Sequence, residues 1–171
     1  PRLKRKEIYQ VIQEPALLNG NKISKRLTEA LISEMDEGID QLPVLQHGLN
    51  QIWQIANKGK EEMDLIHFAK IGGIKKDFLT KEDELKFTTW FDTLPEYKKK
   101  FFANPSLDNV LDAHANDLFY RAYDYLKTKN SGINLSEEEA FTIIRTTFKC
   151  LTKIDQSRGV RNRMTLNEIV H

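Results

Sequence analysis

Phosphate binding is the first chemistry to test in this sequence, because nucleotide-binding loops have a strict residue spacing. A P-loop needs G-x-x-x-x-G-K-[ST], whose glycines let backbone N–H groups close around phosphates. The nearest stretch contains Gly59 and Lys60, but Glu61 follows them and Gln54 occupies the position of the leading glycine. The sequence has neither a P-loop nor an acidic Walker B strand, so we expect this chain by itself not to be an enzyme.

Metal ligation is the second chemistry to test. The histidines form neither an HExxH motif nor another close ligand spacing; they are His47, His67, His114 and His171. A lone histidine on a helix is more often a hydrogen-bonded packing residue than a metal ligand. We therefore expect no metal site.

Two further candidates for catalysis have simpler explanations. The acidic run Glu137-Glu138-Glu139 could be a paired-carboxylate site, but at a helix start it complements the helix macrodipole. Cys150 lies in an apolar helical run, where a small core residue is expected rather than a nucleophile. Nothing in the sequence resembles a catalytic triad.

Composition limits the partners and the location of the chain. Its 171 residues carry 26 basic and 25 acidic side chains, so no bulk charge draws it to nucleic acid or to an anionic membrane. No apolar run is long enough for a membrane span, and the amino end lacks the apolar segment typical of a signal peptide, so we expect no membrane partner. The single cysteine fits a reducing, cytoplasmic location. Because the chain starts at Pro1 rather than Met, we expect it to be a piece of a longer protein.

Apolar residues recur at helical spacing through most of the chain. Proline and glycine mark the expected helix boundaries in the amino-terminal half. The spacing predicts a first helix that ends near Gln13, a second over 23–35 that is closed by Gly38, a third from Pro43 to about 57–59, and a short fourth over 64–71 that is stopped by Gly72-Gly73.

Capping signals mark the later helices. Thr80 with Asp83 predicts the start of a helix that carries several aromatic residues, and Ser136 with Glu139 is an S-x-x-E capping box. Two more helices are predicted, one between Pro95 and Pro105 and one over 107–127. The helix after Ser136 is expected to bury one apolar face made of Phe141, Ile144, Phe148, Cys150 and Leu151.

The carboxyl-terminal region changes character. It has a loop around 157–159, a short extended piece, and a capping pair of Thr165 and Glu168. Two helices followed by a basic, hairpin-like wing outline a winged helix. Periodicity alone does not distinguish a winged helix from a helical bundle. The sequence therefore predicts an all-α fold class, and either arrangement is compatible with it.

Four stretches, in the same order, resemble signatures of the bacterial novel STAND NTPase family, signal-transduction ATPases related to AAA+ and NB-ARC proteins. LPVLQHGLNQIW is similar to the family's Leu-Pro-Leu-Leu-Gln-His-Ala-Leu-x-x-x-Trp motif. The others are EPALLNGNKIS, IHFAKIGGI and FKCLTKIDQSRGVRNRMTLNEIV. The resemblance covers residues 3–73 and 113–171.

The resemblance implies the domain organisation. A helical lid would occupy residues 1–73 and a winged-helix-like domain with a short carboxyl-terminal β element would occupy residues 113–171. Residues 74–112 are longer than the family's usual connection, so we interpret them as an aromatic helical insertion.

The resemblance also implies a nucleotide site. In the family the proline of the Leu-Pro motif lies against the adenine of the nucleotide, and here that residue is Pro43. Leu42 and Leu45 would close the apolar wall, and His47 would face either a phosphate or the core of the lid. The family's adjacent arginine pair corresponds to Arg161 and Arg163, which Asn162 separates; they would contact phosphate or another domain.

The function that follows from the resemblance is regulatory. Lid and winged helix would pack on the NTPase core of the same longer chain, hold ADP in a closed state, and open when ATP replaces it. The cofactors would be ATP or ADP with Mg in the longer protein and none in this chain alone.

Two alternatives remain open from the residues. The first is a winged helix that binds nucleic acid, since Arg145, Lys149 and Lys153 follow a helical i, i+4, i+8 spacing within a basic cluster. That cluster is Arg145, Lys149, Lys153, Arg158, Arg161 and Arg163, against one acid, Asp155. The second alternative is a protein-interaction module that uses the aromatic insertion, which would expose an apolar patch around Trp90.

Overall fold

A computed structural model describes residues 4–35, 42–129, 135–155, 158–161 and 164–165 of the chain. These residues are mostly helical, which confirms the main part of the predicted fold class. The chain divides into two compact units, Pro1–Asp117 and Leu118–His171. The predicted three-part division at residues 73 and 112 stays a prediction. Among the described residues, no helix is both long and apolar enough to cross a bilayer.

Helices build the first unit. They are α1 (Arg5–Leu18), α2 (Lys25–Glu34), α3 (Leu42–Ile55), α4 (Leu65–Lys70), α5 (Lys81–Asp92) and α6 (Glu96–Lys99), with 3-10 turns at Lys76–Phe78 and Lys100–Phe102. Helix α7 (Leu107–Lys129) begins in this unit and continues into the second.

Helix α1 continues past the proline that was expected to end it. Pro15 lies inside the helix, so the predicted end near Gln13 is wrong. A proline near the carboxyl end removes one backbone hydrogen bond, and one more turn still forms because Ala16 is buried in the core. The helix then closes in a Schellman motif, in which Gly20 has φ +69° and the Asn21 N–H donates to the Ala16 carbonyl at 2.8 Å.

The ends of the next three helices follow the local signals. Ser24 caps α2 by accepting the Leu27 N–H at 3.1 Å. Gly38, the predicted stop of α2, lies outside the described residues, and α2 ends at Glu34. The predicted end of α3 at 57–59 is confirmed, since these three residues all have positive φ. The short helix expected over 64–71 is α4.

The core of the first unit lies between α1, α2, α3, α4 and the start of α7. Its largest fully buried side chains are Phe68, Ile12, Leu27, Leu31, Leu45, Ile52, Leu107 and Val110. Burying one such side chain contributes about 1.5–3 kcal/mol. A short parallel bridge between Ile23 and Met63 ties the start of α2 to the approach of α4. Helix α3 is therefore fixed from several sides.

Aromatic residues of α5 and of the turn after α6 pack on one another. Phe87 is buried, and its ring stacks on Phe91 with centroids 5.8 Å apart. Trp90 and Phe91 meet the Phe102 ring edge to face. Trp90 is half-buried, and the Lys70 ammonium lies 5.6 Å from its ring. These rings form a small internal cluster of the first unit.

The second unit contains the carboxyl-terminal part of α7 and α8 (Glu137–Cys150). The predicted capping box at the start of α8 is confirmed, because the Glu139 N–H donates to Ser136 Oγ at 3.3 Å and the Ser136 N–H donates to Glu139 Oε2 at 2.8 Å. Buried Phe119, Tyr123 and Ala140 form the core.

The predicted buried face of α8 is wrong in part. Ile144 packs against the core as expected, but Phe141 and Phe148 are 40% and 66% exposed. The helix turns Ala140 and Ile144 inward, four residues apart. Phe141 and Phe148 are seven residues apart on a face that is rotated by about 100° from Ala140. The Phe141 ring still meets the buried Phe119 ring edge to face, with centroids 5.1 Å apart, so it borders the core without being enclosed by it.

Two short strands follow α8. Residues Thr152–Asp155 (β1) pair antiparallel with Arg158–Arg161 (β2), with Thr152 opposite Arg161 and Asp155 opposite Arg158. Glu168 of the predicted capping pair lies outside the described residues. The assignment of this region to a winged helix stays a prediction.

Candidate functional site

The candidate site is the amino-terminal end of α3. Pro43 lies in the first turn, where its missing N–H leaves no helical hydrogen bond unmade. Its ring is exposed, whereas Leu42 is half-buried against the core and Leu45 is completely buried. Pro43 is therefore open to a ligand, and Leu45 faces the interior rather than an open wall.

Helix α3 is held rigidly behind Pro43. Gly48 faces α7 so closely that an added Cβ would lie 3.1 Å from Leu107 Cδ1. At the other end, the Trp53 indole N–H donates to Asn21 Oδ1 at 2.8 Å. Gly59, with φ +75°, leaves room for this bond, because a Cβ there would lie 2.3 Å from the same oxygen. Asn21 and Trp53 thus join the EPALLNGNKIS and LPVLQHGLNQIW stretches.

His47 lies one turn after Pro43 and faces α7. Its Nε2 is 3.1 Å from His114 Nδ1, and the two ring centroids are 4.8 Å apart. The side-chain amide nitrogen of Gln51 is 3.5 Å from the same His114 nitrogen. This contact joins two helices, and its residues are 67 positions apart in the sequence. No motif defined by residue spacing could have indicated it.

An ionic network at the start of α4 was also missed by the sequence analysis. The Asp64 carboxylate caps α4 through the Leu65 N–H at 2.8 Å and accepts hydrogen bonds from Ser24 Oγ and Arg26 Nε, each at 2.6 Å. Arg26 Nη2 also contacts Asp64 and donates to Asp83 at 2.9 Å. The network therefore links α2, α4 and α5.

The network shifts the protonation equilibria of its members. Burial alone raises the pKa of the Asp64 carboxyl, but the hydrogen bonds from Arg26, Ser24 and the Leu65 N–H outweigh it, so the pKa lies below its ordinary value. Hydrogen bonding to Asp64 raises the pKa of Arg26 above its ordinary value, against the effect of burial. Both groups are therefore charged at neutral pH.

The two glycines after α4 have separate structural roles. Gly72 has φ +78°, and the Gly73 N–H donates to the Phe68 carbonyl at 3.0 Å, which closes the helix in a second Schellman motif. At Gly73 a Cβ would lie 1.8 Å from Phe68 Cε2. The Asn109 side chain donates to the Gly72 carbonyl at 3.2 Å. This stretch therefore locks α4 against α7.

The predicted arginine contacts belong to the second unit. Arg161 is the last residue of β2, and Arg163 lies outside the described residues. The predicted basic stripe is shorter than expected, because α8 ends at Cys150 and Lys153 belongs to β1. Arg145 lies over the Phe141 ring, 5.0 Å from its centroid.

Comparison with known proteins identifies the family of this chain. The model of the family described as novel STAND NTPase 1 matches residues 1–95, more than half of the chain. The match includes the stretches around Asn21, Pro43 and Gly72-Gly73, and it continues into residues 74–95 of the segment interpreted as an insertion. No curated protein and no solved structure matches the chain. The chain belongs to the novel STAND NTPase 1 family.

Proposed function

We propose that the first unit is the helical lid of a STAND-type ATPase switch and that Pro43 lies on the adenine of the bound nucleotide. The observation that carries this proposal is the exposed Pro43 ring at the start of a helix whose inner face, with Leu45 and Ile52, packs in the core. A flat ring without an N–H can cover a base without stranding a hydrogen-bond donor. Membership of an NTPase family supports the identity of the ligand.

In this proposal the chain is regulatory and not an enzyme by itself. Its sequence has no P-loop, so the NTPase core of a longer protein would hold the phosphates and Mg of ATP or ADP. Lid and second unit would favour the ADP-bound closed state, and exchange for ATP would shift the population to the open state. Arg161 and Arg163 would contribute charged contacts that favour closure.

The test is Pro43→Ala in the protein that contains both this chain and the NTPase core. Alanine is tolerated in a first helical turn, so we expect little change in Tm. Loss of the ring contact should weaken ADP binding by about fivefold to tenfold, or about 1–1.4 kcal/mol. Both quantities are measured by calorimetric titration and thermal unfolding.

Gln46→Ala is the matched control, because Gln46 is exposed on the same helix. It should leave both the ADP affinity and the Tm unchanged. A Pro43→Ala protein that loses Tm but binds ADP as the wild type does would show that Pro43 only starts the helix.

A second candidate function is nucleic-acid binding by the second unit. Lys149 and Arg145 are exposed one turn apart on α8, which supports it. The same helix also exposes Glu137, Glu138 and Glu139, which would repel phosphate. The nucleotide-switch proposal therefore has the stronger support.

A further inference from the structure

Two imidazole nitrogens on different helices lie at the separation that a shared metal ion requires. His47 Nε2 on α3 and His114 Nδ1 on α7 are 3.1 Å apart. Two histidine nitrogens at about 2.0–2.1 Å from a tetrahedral zinc ion lie about 3.3 Å from each other. Adjacent ligands in an octahedral site lie about 3.0 Å apart. We propose that His47 and His114 bind a divalent transition metal ion of the Zn²⁺, Ni²⁺ or Cu²⁺ class.

Gln51 can complete the site. Its amide nitrogen is 3.5 Å from His114 Nδ1, and a half-turn of the amide brings its oxygen to that side. Within the described ranges, no group of three or more His, Cys, Asp or Glu side chains is placed to hold a metal. With ligands from the described residues alone, water would fill the remaining positions. Imidazole and amide ligands suit zinc, nickel and copper and do not suit Mg²⁺ or Ca²⁺.

The helices that carry the two histidines are already fixed. Leu45 and Ile52 of α3 and Leu107 and Val110 of α7 belong to one buried cluster. The close approach of Gly48 to Leu107 brings the two backbones together near the pair. Little ordering is therefore needed for binding, and a bound ion would join α7 to the helix that bears Pro43. This inference does not depend on the nucleotide proposal, and it revises the sequence expectation of no metal site.

We expect modest affinity, because only two histidines are certain ligands. With half the ligands of a structural zinc site, we expect a Kd of about 10⁻⁴ to 10⁻⁶ M. Such an ion would bind the native chain more tightly than the unfolded one, because only folding brings the two histidines together, so saturation should raise the Tm by about 3–5 °C.

The experiment is a calorimetric titration of the whole chain with Zn²⁺, with Mg²⁺ as the ion of the wrong class. One zinc ion should bind per chain, and Mg²⁺ should give no heat. His47→Gln and His114→Gln should each weaken zinc binding at least tenfold, whereas His171→Gln should not. Spectra of the Cu²⁺-loaded chain should show two nitrogen ligands, and each variant should lose one.

Thermal unfolding in a chelator shows whether each variant is folded. A folded variant that binds zinc as the wild type does would overturn the proposal. So would a wild-type chain with no zinc binding below millimolar concentration. In either case the two rings form only an imidazole–imidazole hydrogen bond.

Discussion

Replacing Asp64 with asparagine tests the ionic network that joins α2, α4 and α5. Asparagine caps a helix as well as aspartate does, and its amide oxygen can still accept the Ser24 hydroxyl. The substitution therefore removes the charge and half of the fork that meets Arg26, and it keeps the start of α4. It separates the ion pair from the helix cap.

The magnitude follows from the contacts. A hydrogen bond to a charged group contributes about 1.5–3 kcal/mol, and Arg26 makes two with Asp64. The Arg26 side chain is 39% exposed, so solvent screening reduces their sum. Arg26 also keeps its contact with Asp83 at 2.9 Å. We expect Asp64→Asn to lower the free energy of unfolding by about 2 kcal/mol at neutral pH.

This loss must depend on pH in one direction. The pKa of Asp64 is lower in the folded chain than its ordinary value of 3.8, so in that range the unfolded chain binds more protons. The stability due to Asp64 is complete above the ordinary value and is lost as the pH falls through the lower folded value. The difference between wild type and variant should therefore shrink as the pH falls from about 5 to about 2.

The assay is urea unfolding followed by tryptophan fluorescence. Trp53 and Trp90 are the only tryptophans, and both lie in the first unit, so the signal reports that unit alone. Asp92→Asn is the control, because Asp92 is exposed; it should change stability by less than about 0.5 kcal/mol. A loss for Asp64→Asn that is the same at acidic and neutral pH would refute the ion-pair reasoning.

Three further predictions concern the glycine motif, catalysis and nucleic acid. Gly73→Ala should cost about 3 kcal/mol, because its Cβ meets the buried Phe68 ring. Gly20→Ala has the strained φ but open space, so it should cost about 1 kcal/mol in the same urea assay, and equal costs would contradict the clash. The isolated chain should release no phosphate from ATP, and turnover that survives repurification would be contrary to this. Mixed-sequence duplex should bind no tighter than about 10⁻⁴ to 10⁻⁶ M at physiological salt. Submicromolar binding that is lost when Arg161 and Arg163 become glutamate would favour the nucleic-acid function.

Local signals predicted several of the helix boundaries that the structure describes. The Ser136 capping box, the turn at 57–59 and the Gly72-Gly73 stop each depend on residues within one turn of the boundary. Pro15 was misread because the cost of a proline near a helix end is one hydrogen bond, and the burial of Ala16 offsets it. That burial depends on tertiary packing, and the neighbouring residues in the sequence do not indicate it.

The interior of the second unit was harder to predict for a related reason. Apolar residues cover more than one face of α8, and periodicity does not say which face meets the partner helix. The structure selects Ala140 and Ile144, next to Phe119 and Tyr123. A small residue at position 140 lets α7 approach closely, and a search for large apolar residues passes over it.

Contacts between residues far apart in the sequence could not be predicted from residue spacing. The pair of His47 and His114 and the pair of Arg26 and Asp64 are separated by 67 and 38 residues. No sequence motif that contains one residue of such a pair indicates which residue it will contact. Only the packing of α3 on α7, and of α2 on α4, brings them together.

The family signature in the first unit is mostly explained by packing, and this sharpens the meaning of Pro43. Asn21 is bound to Trp53, Gly73 lies under Phe68, and Leu45 is in the core. Each of these residues would be required in a lid that never touched a nucleotide. Pro43 differs because its ring is exposed and the fold needs it only to begin a helix. Other residues start helices equally well, so the surface presented by this ring is where a role outside the fold should be sought.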